Sequence, residues 1–505
     1  MSVDVNAGSP GEAGVTEPPP PVAGSEPAGG HAGPARLSAL VDTAVQAIAT
    51  GTAERGGPAP AREPCALAEQ VRDTMGEALP ELGTGAEEAL SCLTRMLAAG
   101  SVDPSDPACA AHLHCPPLAV AVAADLVSAT LNPSLDSWDQ APAATTVETE
   151  VVAALAELAG YRPERAAGVL TGGGTESNLM GLGLARDAAL RERAGVGPAY
   201  EGVSGPSCRM RVFCSAAAHF SVQRNAALLG LGEASVTAVP VDDRHRMDTA
   251  ALCRALRRCE DAPAVIVATA GTTDLGAIDP LPEVAELANE HGAWLHTDAA
   301  YGGGALLSEG LAPLLDGIAL SDSIALDLHK LGWQPIAAGV FLAGEGYAME
   351  PLARRVAYLN PTDDELAGYD GLLGRSLRTT RRADAFKIAV TMRALGRRGL
   401  GELVDRCHAL ARYIATQIAS HPALELAADP ALTTVVFRYR AFGNSDRVNA
   451  ALRRRLLRRG RAVVGRTELS GEVWLKLTLL HPGAARSDAD ALLNEIVIAG
   501  TEEDG

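Results

Sequence analysis

A lysine amine, an aspartate carboxylate and a glycine-rich loop each follow a short apolar run in this chain. Together they are able to hold a carbonyl compound covalently, offer it an anionic partner and seat a phosphate-sized anion. The amine is Lys330, in SDSIALDLHKLGWQP over Ser321–Pro335. There the run Ile324–Leu328 reads as a buried strand that delivers His329 and Lys330 to its C-terminal end. Most lysines after a strand are solvated surface charges, and this one gains meaning from its neighbours. Upstream, AWLHTDAAYGG ends a second strand at Asp298, and VIVATAGTTDLGAIDP ends a third near Thr272 and Thr273, with helical spacing in Pro282–Asn289 between them. Three strand ends in succession form a βαβαβ series with polar groups gathered on one rim of an open α/β sheet.

A Lys and an Asp at the rim of a dry sheet suit pyridoxal phosphate, whose aldehyde takes an amine as a Schiff base and whose pyridine nitrogen needs an anionic partner. A seat for the phosphate lies in Leu170–Asn178, LTGGGTESN, ahead of the helical run Leu179–Arg191. Its backbone N–H groups open at a helix N-terminus, Gly173 and Gly174 permit close approach, and Thr175 adds a hydroxyl. The ordered series GGGTES, HFSVQRNAALLGLG, ATAGTTDLGAIDP, HTDAAYGG and DLHK then resembles the group II pyridoxal-phosphate-dependent amino-acid decarboxylases, from about His112 to Leu400.

The resemblance implies an α/β fold: a fold-type-I pyridoxal-phosphate (aspartate-aminotransferase-like) large domain with an N-terminal helical segment and a small α+β C-terminal domain. It implies a cofactor site of Gly173, Gly174, Thr175, His219, Thr273, Asp298, Ala300, His329 and Lys330. In that site Lys330 is the Schiff-base lysine, Asp298 the partner of the pyridine nitrogen, His219 the imidazole stacked on the ring and Ala300 the small residue on its other face. The long polar stretch Glu345–Gly374 resembles a mobile loop that closes over the site, with Tyr369 as the candidate catalytic acid. The implied N-terminal helices clasp a second copy, so a homodimer is expected.

Composition narrows the partners. A net charge of −19, from 43 basic and 62 acidic residues, argues against nucleic acid or an anionic membrane and leaves a small-molecule substrate. Nine cysteines without a paired C-x-x-C spacing suit reduced thiols. No signal-peptide pattern or apolar run of spanning length is seen, so a cytoplasmic protein is expected. The domain organisation expected is a disordered Pro/Gly/Ala-rich tail over residues 1–35, helices over 36–120, the large domain over 121–400 and the small one over 401–505.

Other stretches carry two readings. His112, His114 and Cys115 are zinc-type ligands, but no fourth ligand stands at suitable spacing, and CPPLAV resembles a pocket-lining loop, so no metal is expected. LNPSLDSWDQAPAAT, Leu131–Thr145, matches a pocket wall in which Asp136 or Asp139 receives a cationic side chain; equally it reads as turn and capping residues before the helix Thr146–Leu158. Arg375, Arg378, Arg381 and Arg382 are read as a basic turn opening a helix, facing solvent or a second copy rather than a substrate carboxylate. The Arg453–Arg461 cluster is read as a charged helix face. Two departures from the family concern substrate: Asp327 replaces an Asn expected beside phosphate and should point away, and His481 replaces an Asn. The reaction expected is decarboxylation of an L-amino acid to its amine. SWDQ and HKLGWQP resemble the enzymes of diamino acids such as L-2,4-diaminobutyrate. The alternatives are an aromatic amino acid, an aldehyde-forming oxidative deamination on the same scaffold, and a non-catalytic relative kept as a scaffold.

Overall fold

Runs such as Ala264–Thr269 and Ser323–Asp327 have no polar alternation, so they can only be strands covered on both faces. In the computed structural model, which describes residues 24–195, 197–203, 209–259, 262–354 and 356–505, they form the middle of a seven-stranded mixed sheet. Its strands are β1 (Ala167–Thr171), β2 (Arg211–Ser215), β3 (Val236–Val239), β4 (Ala264–Thr269), β5 (Trp294–Ala299), β6 (Ser323–Asp327) and β7 (Gly339–Ala343). They lie in the order β1-β7-β6-β5-β4-β2-β3. Strands β2 to β6 are mutually parallel, with Thr269 opposite Asp298 and Asp298 opposite Ala325. Strand β7 runs antiparallel to both β6 and β1, so the two reversals cancel and β1 points the same way as the rest. The C-terminal ends of β1, β2, β4, β5 and β6 therefore share one rim, where ligands of open α/β sheets bind.

Six helices flank the beginning of the chain: α1 (Gly33–Arg55), α2 (Pro64–Met75), α3 (Ala86–Gly100), α4 (Ala119–Leu131), α5 (Pro142–Leu158) and α6 (Gly174–Ala194). The first three match the helical spacing read from the sequence, whereas α4 and the strands β1, β3 and β7 were not anticipated. Residues 1–23 of the expected tail lie outside the described residues, and α1 already begins at Gly33, where Pro34 opens the helix with a φ suited to its first turn.

A second, antiparallel sheet in the order β10-β11-β9-β8 comprises β8 (Leu424–Leu426), β9 (Thr434–Tyr439), β10 (Gly465–Leu469) and β11 (Glu472–Thr478), covered by helices Ser445–Arg458 and Arg486–Asp504. The sequence patterning exposes β9, β11 and the first of these helices; the short edge strands and the last helix lack a clear period. Arg455 and Arg459 in the arginine cluster pair with Glu502 and Glu503 of the terminal helix, in line with a charged helix face. Three contacts tie this sheet to the rim of the other. The Tyr301 hydroxyl meets Thr433 and Thr434, Trp333 Nε1 donates to the Leu480 carbonyl at 2.8 Å, and Lys476 Nζ lies 2.8 Å from Asp274.

The arginine run corrects the sequence reading. The helix that follows it starts only at Ala385, continues to Ser420 with a break at Gly396, and leaves all four arginines before it, Arg375 closing the 3-10 turn Leu373–Arg375 and the others in the irregular segment beyond. Arg381 is buried, with Nη1 2.7 Å from Glu148 Oε1, and Arg382 pairs with Asp125. Burial pushes the Glu148 carboxyl up while the Arg381 guanidinium draws it down. Each buried charge offsets part of the other's desolvation cost across 233 positions of chain, a tertiary fact invisible in a local charge pattern.

Candidate active site

Each site residue is placed by the end of a rim strand. Strand β6 stops at Asp327, and the short helical turn Leu328–Leu331 carries His329 and Lys330. Asp298 lies within β5, and Ala300 follows it, its N–H donating to Asp298 Oδ1 at 3.1 Å. Strand β1 passes through Gly172 into α6, whose first residues are Gly174 and Thr175. His219 stands beyond β2 in the loop before helix Ser221–Leu228, as expected of a strand that runs from Phe213 into a loop carrying the imidazole; the strand ends at Ser215. These residues, with Gly173, Thr273, Glu176 and Asn178, line one cavity of about 570 Å³. Every expected cofactor residue thus faces a single space.

Close approach at the cradle depends on missing side chains. A Cβ at Gly174 would stand 2.9 Å from the Ala300 Cβ and 3.1 Å from Asp327 Oδ2, and one at Gly173 would stand 3.2 Å from the His329 ring. The cradle is closed below by Glu176, whose Oε2 accepts from the Gly172 N–H at 2.6 Å and whose Oε1 accepts from Arg378 at 2.9 Å.

Asp327 corrects the expectation that it points away. Its Oδ2 lies 3.0 Å from Lys330 Nζ and 3.4 Å from His329 Nε2, on the cavity wall facing Gly174. The amine at the end of the same turn is the reason: a buried carboxylate turned outward would have no cation to offset its desolvation. Burial still pushes its carboxyl up to about 6 against the pull of Lys330. Burial and the neighbouring Lys330 charge bring His329 down to about 4, so its imidazole is neutral near pH 7. Burial likewise lowers His219, with the Asp298 carboxylate opposing it.

Four expectations fall outside the cavity. Tyr369 packs edge-on against Trp138, ring centroids 4.9 Å apart, and does not line it. Asp136 is buried, its Oδ1 accepting from Gln140 Nε2 at 3.0 Å, and it does not line the cavity. Cys115 donates to the His329 carbonyl at 3.1 Å, which places the HLHC loop behind the lysine turn rather than on the cavity wall. His481 caps its own turn by accepting from Gly483 N–H at 3.1 Å. Conversely, Asn178 and His296, within LTGGGTESN and AWLHTDAAYGG, join the site without having been among the expected cofactor residues. Strand alternation carries a signal for the second, since His296 shares a face of β5 with Asp298. Helical spacing carries one for the first, four residues after Gly174 on α6.

The site fits pyridoxal phosphate. A glycine cradle opens a 21-residue helix, a lysine amine reaches into the same space, and the buried Asp327 Oδ1 and His329 Nδ1 find no hydrogen-bond partner among the described residues. The comparisons agree. Residues 69–440 match the pyridoxal-dependent decarboxylase conserved domain. The L-2,4-diaminobutyrate decarboxylase of Rhizobium meliloti (strain 1021) is 42% identical over 426 residues, 83% of either chain. That of Acinetobacter baumannii is 37% identical over 429 residues, 82% of this chain and 84% of the relative. The solved glutamate decarboxylase domain of a diaminobutyrate-pyruvate transaminase and L-2,4-diaminobutyrate decarboxylase from Vibrio parahaemolyticus superposes with a TM-score of 0.85 at 34% identity, covering 94% of this chain and 97% of that one. With the fold, the cradle and the lysine in their expected places, the chain belongs to the pyridoxal-dependent decarboxylase family and is a pyridoxal-phosphate-dependent amino-acid decarboxylase.

Proposed function

We propose that the substrate is an L-diamino acid of the 2,4-diaminobutyrate type, converted to the corresponding diamine and carbon dioxide. The observation that carries this reading is the charge of the cavity: among its described lining residues the carboxylates Glu176, Asp298 and Asp327 outnumber the one lysine, Lys330, with Arg378 pairing Glu176 from outside the lining. A second ammonium group on the substrate is attracted by such a wall, whereas the side-chain carboxylate of an acidic amino acid is repelled. The names of the two relatives above point to the same class.

Pyridoxal phosphate, when bound, supplies an aldehyde that takes up an amine and a pyridinium ring that draws electron density from the α-carbon. In this reading Gly173, Gly174 and Thr175 hold the phosphate at the α6 N-terminus, where the backbone dipoles and N–H groups favour an anion. Lys330 would be the amine that anchors the cofactor. Asp298 would offer its anionic partner, and a preorganised negative charge there would be the protein's main contribution to lowering the barrier. His219 and Ala300 would pack against the cofactor, with Thr273 and His329 completing the wall. Tyr369 reaches the cavity in this reading only when residues 345–374 close over it, which would also exclude water.

The domain boundaries and a cytoplasmic homodimer belong to the same proposal. Val45, Ile48, Leu93, Leu97, Val122 and Leu126 on α1, α3 and α4 are exposed, as are Leu228 and Ile336 at the cavity. Exposed apolar side chains on these helices and at the cavity are suited to cover by a second copy. Among the described residues no helix is long and apolar enough to cross a membrane.

A panel of amino acids scored by carbon dioxide release, with products identified by mass spectrometry, tests the function. L-2,4-diaminobutyrate should exceed glutamate and the aromatic amino acids and yield the diamine. Preferential turnover of an acidic or aromatic substrate would sink the substrate class, and an aldehyde product would sink the reaction. The cradle is tested separately. Gly174→Ala crowds Ala300 and Asp327, and an overpacking cost of about 1–3 kcal/mol corresponds to roughly tenfold or weaker cofactor binding. An unchanged affinity, read by titrating the apoenzyme with cofactor and following absorbance, would move the phosphate elsewhere.

A further inference from the structure

Asn178 lies on α6, next to the glycine cradle, and is buried with its partners Ser221 and His296. Its side chain joins two groups that face the cavity. Nδ2 donates to Asp298 Oδ2 at 2.7 Å and to Ser221 Oγ at 3.0 Å, while Oδ1 faces His296 Nε2 at 3.0 Å.

Counting protons assigns every donor. A carboxylate oxygen at 2.7 Å can be met only by the amide NH₂, so Oδ1 must face His296 and Nε2 of that ring must carry its hydrogen. Burial holds His296 down to about 4, so the ring is neutral and Nδ1 accepts. The acceptor at Nδ1 is served by the Ser323 hydroxyl at 2.9 Å, whose oxygen in turn accepts from Trp294 Nε1 at 3.0 Å. On the other side, Ser221 Oγ accepts from Asn178 Nδ2 with one of its two lone pairs and lies 2.8 Å from His219 Nδ1, a contact in which it donates because the backbone N–H beside it already makes Nδ1 an acceptor. The Ser221 backbone N–H also points at Nδ1, at 3.3 Å. With Nδ1 accepting twice, the neutral His219 ring carries its hydrogen on Nε2. Room for the arrangement comes from Gly181, three residues further along α6, where a Cβ would stand 2.5 Å from His296 Nδ1.

We propose that Asn178 is a positioning residue that sets both cavity groups at once: it orients the Asp298 carboxylate directly and, through Ser221, fixes the tautomer of His219. The inference rests on the reading that Asp298 and His219 serve the cofactor ring. Partners of this kind characteristically change activity by about 10- to 100-fold when removed.

The test compares Asn178→Leu, Ser221→Ala and Asp298→Asn holoenzymes. Asn178→Leu is expected to lower kcat by about 10- to 100-fold with KM changed by less than about threefold, and to shift the visible absorbance of the bound cofactor. Ser221→Ala is expected to leave that absorbance in place but to convert His219 from the Nε2–H form to a mixture, read by ¹⁵N NMR of histidine-labelled protein with His219→Gln as the assignment control. A folded Asn178→Leu enzyme with unchanged absorbance and kcat, or an unchanged His219 tautomer in Ser221→Ala, overturns the inference. If circular dichroism shows that Asn178→Leu does not fold, the isosteric Asn178→Asp is measured instead, with the same two outcomes. A silent Asp298→Asn would overturn the underlying reading; an impaired Asp298→Asn beside a silent Asn178 variant overturns only the positioning role.

Discussion

Lys330→Ala should lower turnover by at least about 10⁴-fold, within the range seen when a covalent catalytic group is removed. In the proposed function two roles are lost together, since the same amine would anchor the cofactor and recapture it after each cycle. The cradle and Asp298 remain, so the variant should still bind cofactor without a covalent link. The chain holds two other lysines, and neither is free to substitute. Lys387 is fully buried between Asp125 and Asp384, 3.1 Å from each, and Lys476 is held by Asp274. Borohydride reduction of the wild type followed by peptide mapping should place the pyridoxyl label on Lys330 alone. A label on Lys387 or Lys476, with Lys330 unmodified, would falsify the assignment.

Asp298→Asn should lower kcat by about 10²- to 10³-fold while leaving cofactor bound, the usual scale for one preorganised electrostatic contact in a dry site. The substitution keeps the size of the side chain and removes its charge, so the loss reports the ion pair with the ring rather than packing. Asn178 would then face an amide instead of a carboxylate, and the amide at 298 must turn its oxygen toward Nδ2 to keep that hydrogen bond. Turnover near that of the wild type, measured with cofactor at saturation, would remove Asp298 from the mechanism.

Much of the site is legible in one dimension because its parts are local. An apolar run followed at once by His329-Lys330, a strand ending on Asp298, and GGGT opening a helix each need only a few neighbouring residues to be recognised. The βαβ order then obliges parallel strands to present their C-terminal ends together, so separate motifs converge without any knowledge of packing. The ends of elements are less legible, as the strand before His219 shows: it stops at Ser215, where its last partner is Val239 of β3, a boundary set by pairing rather than by the residues themselves.

What the sequence by itself determined is therefore the chemistry: an amine, a carboxylate and an anion seat on one α/β rim, in a family whose members decarboxylate amino acids. What only the tertiary structure decided is how charged and polar side chains far apart in the chain satisfy one another. Arg381 turns inward because Glu148 is buried 233 positions away, Lys476 reaches Asp274 across 202 positions, and Asn178 reaches Asp298 across 120. The physical reason is common to all three. Desolvation makes an unpaired buried charge or amide costly, its partner is whichever group the fold brings within about 3 Å, and no local pattern records that distance.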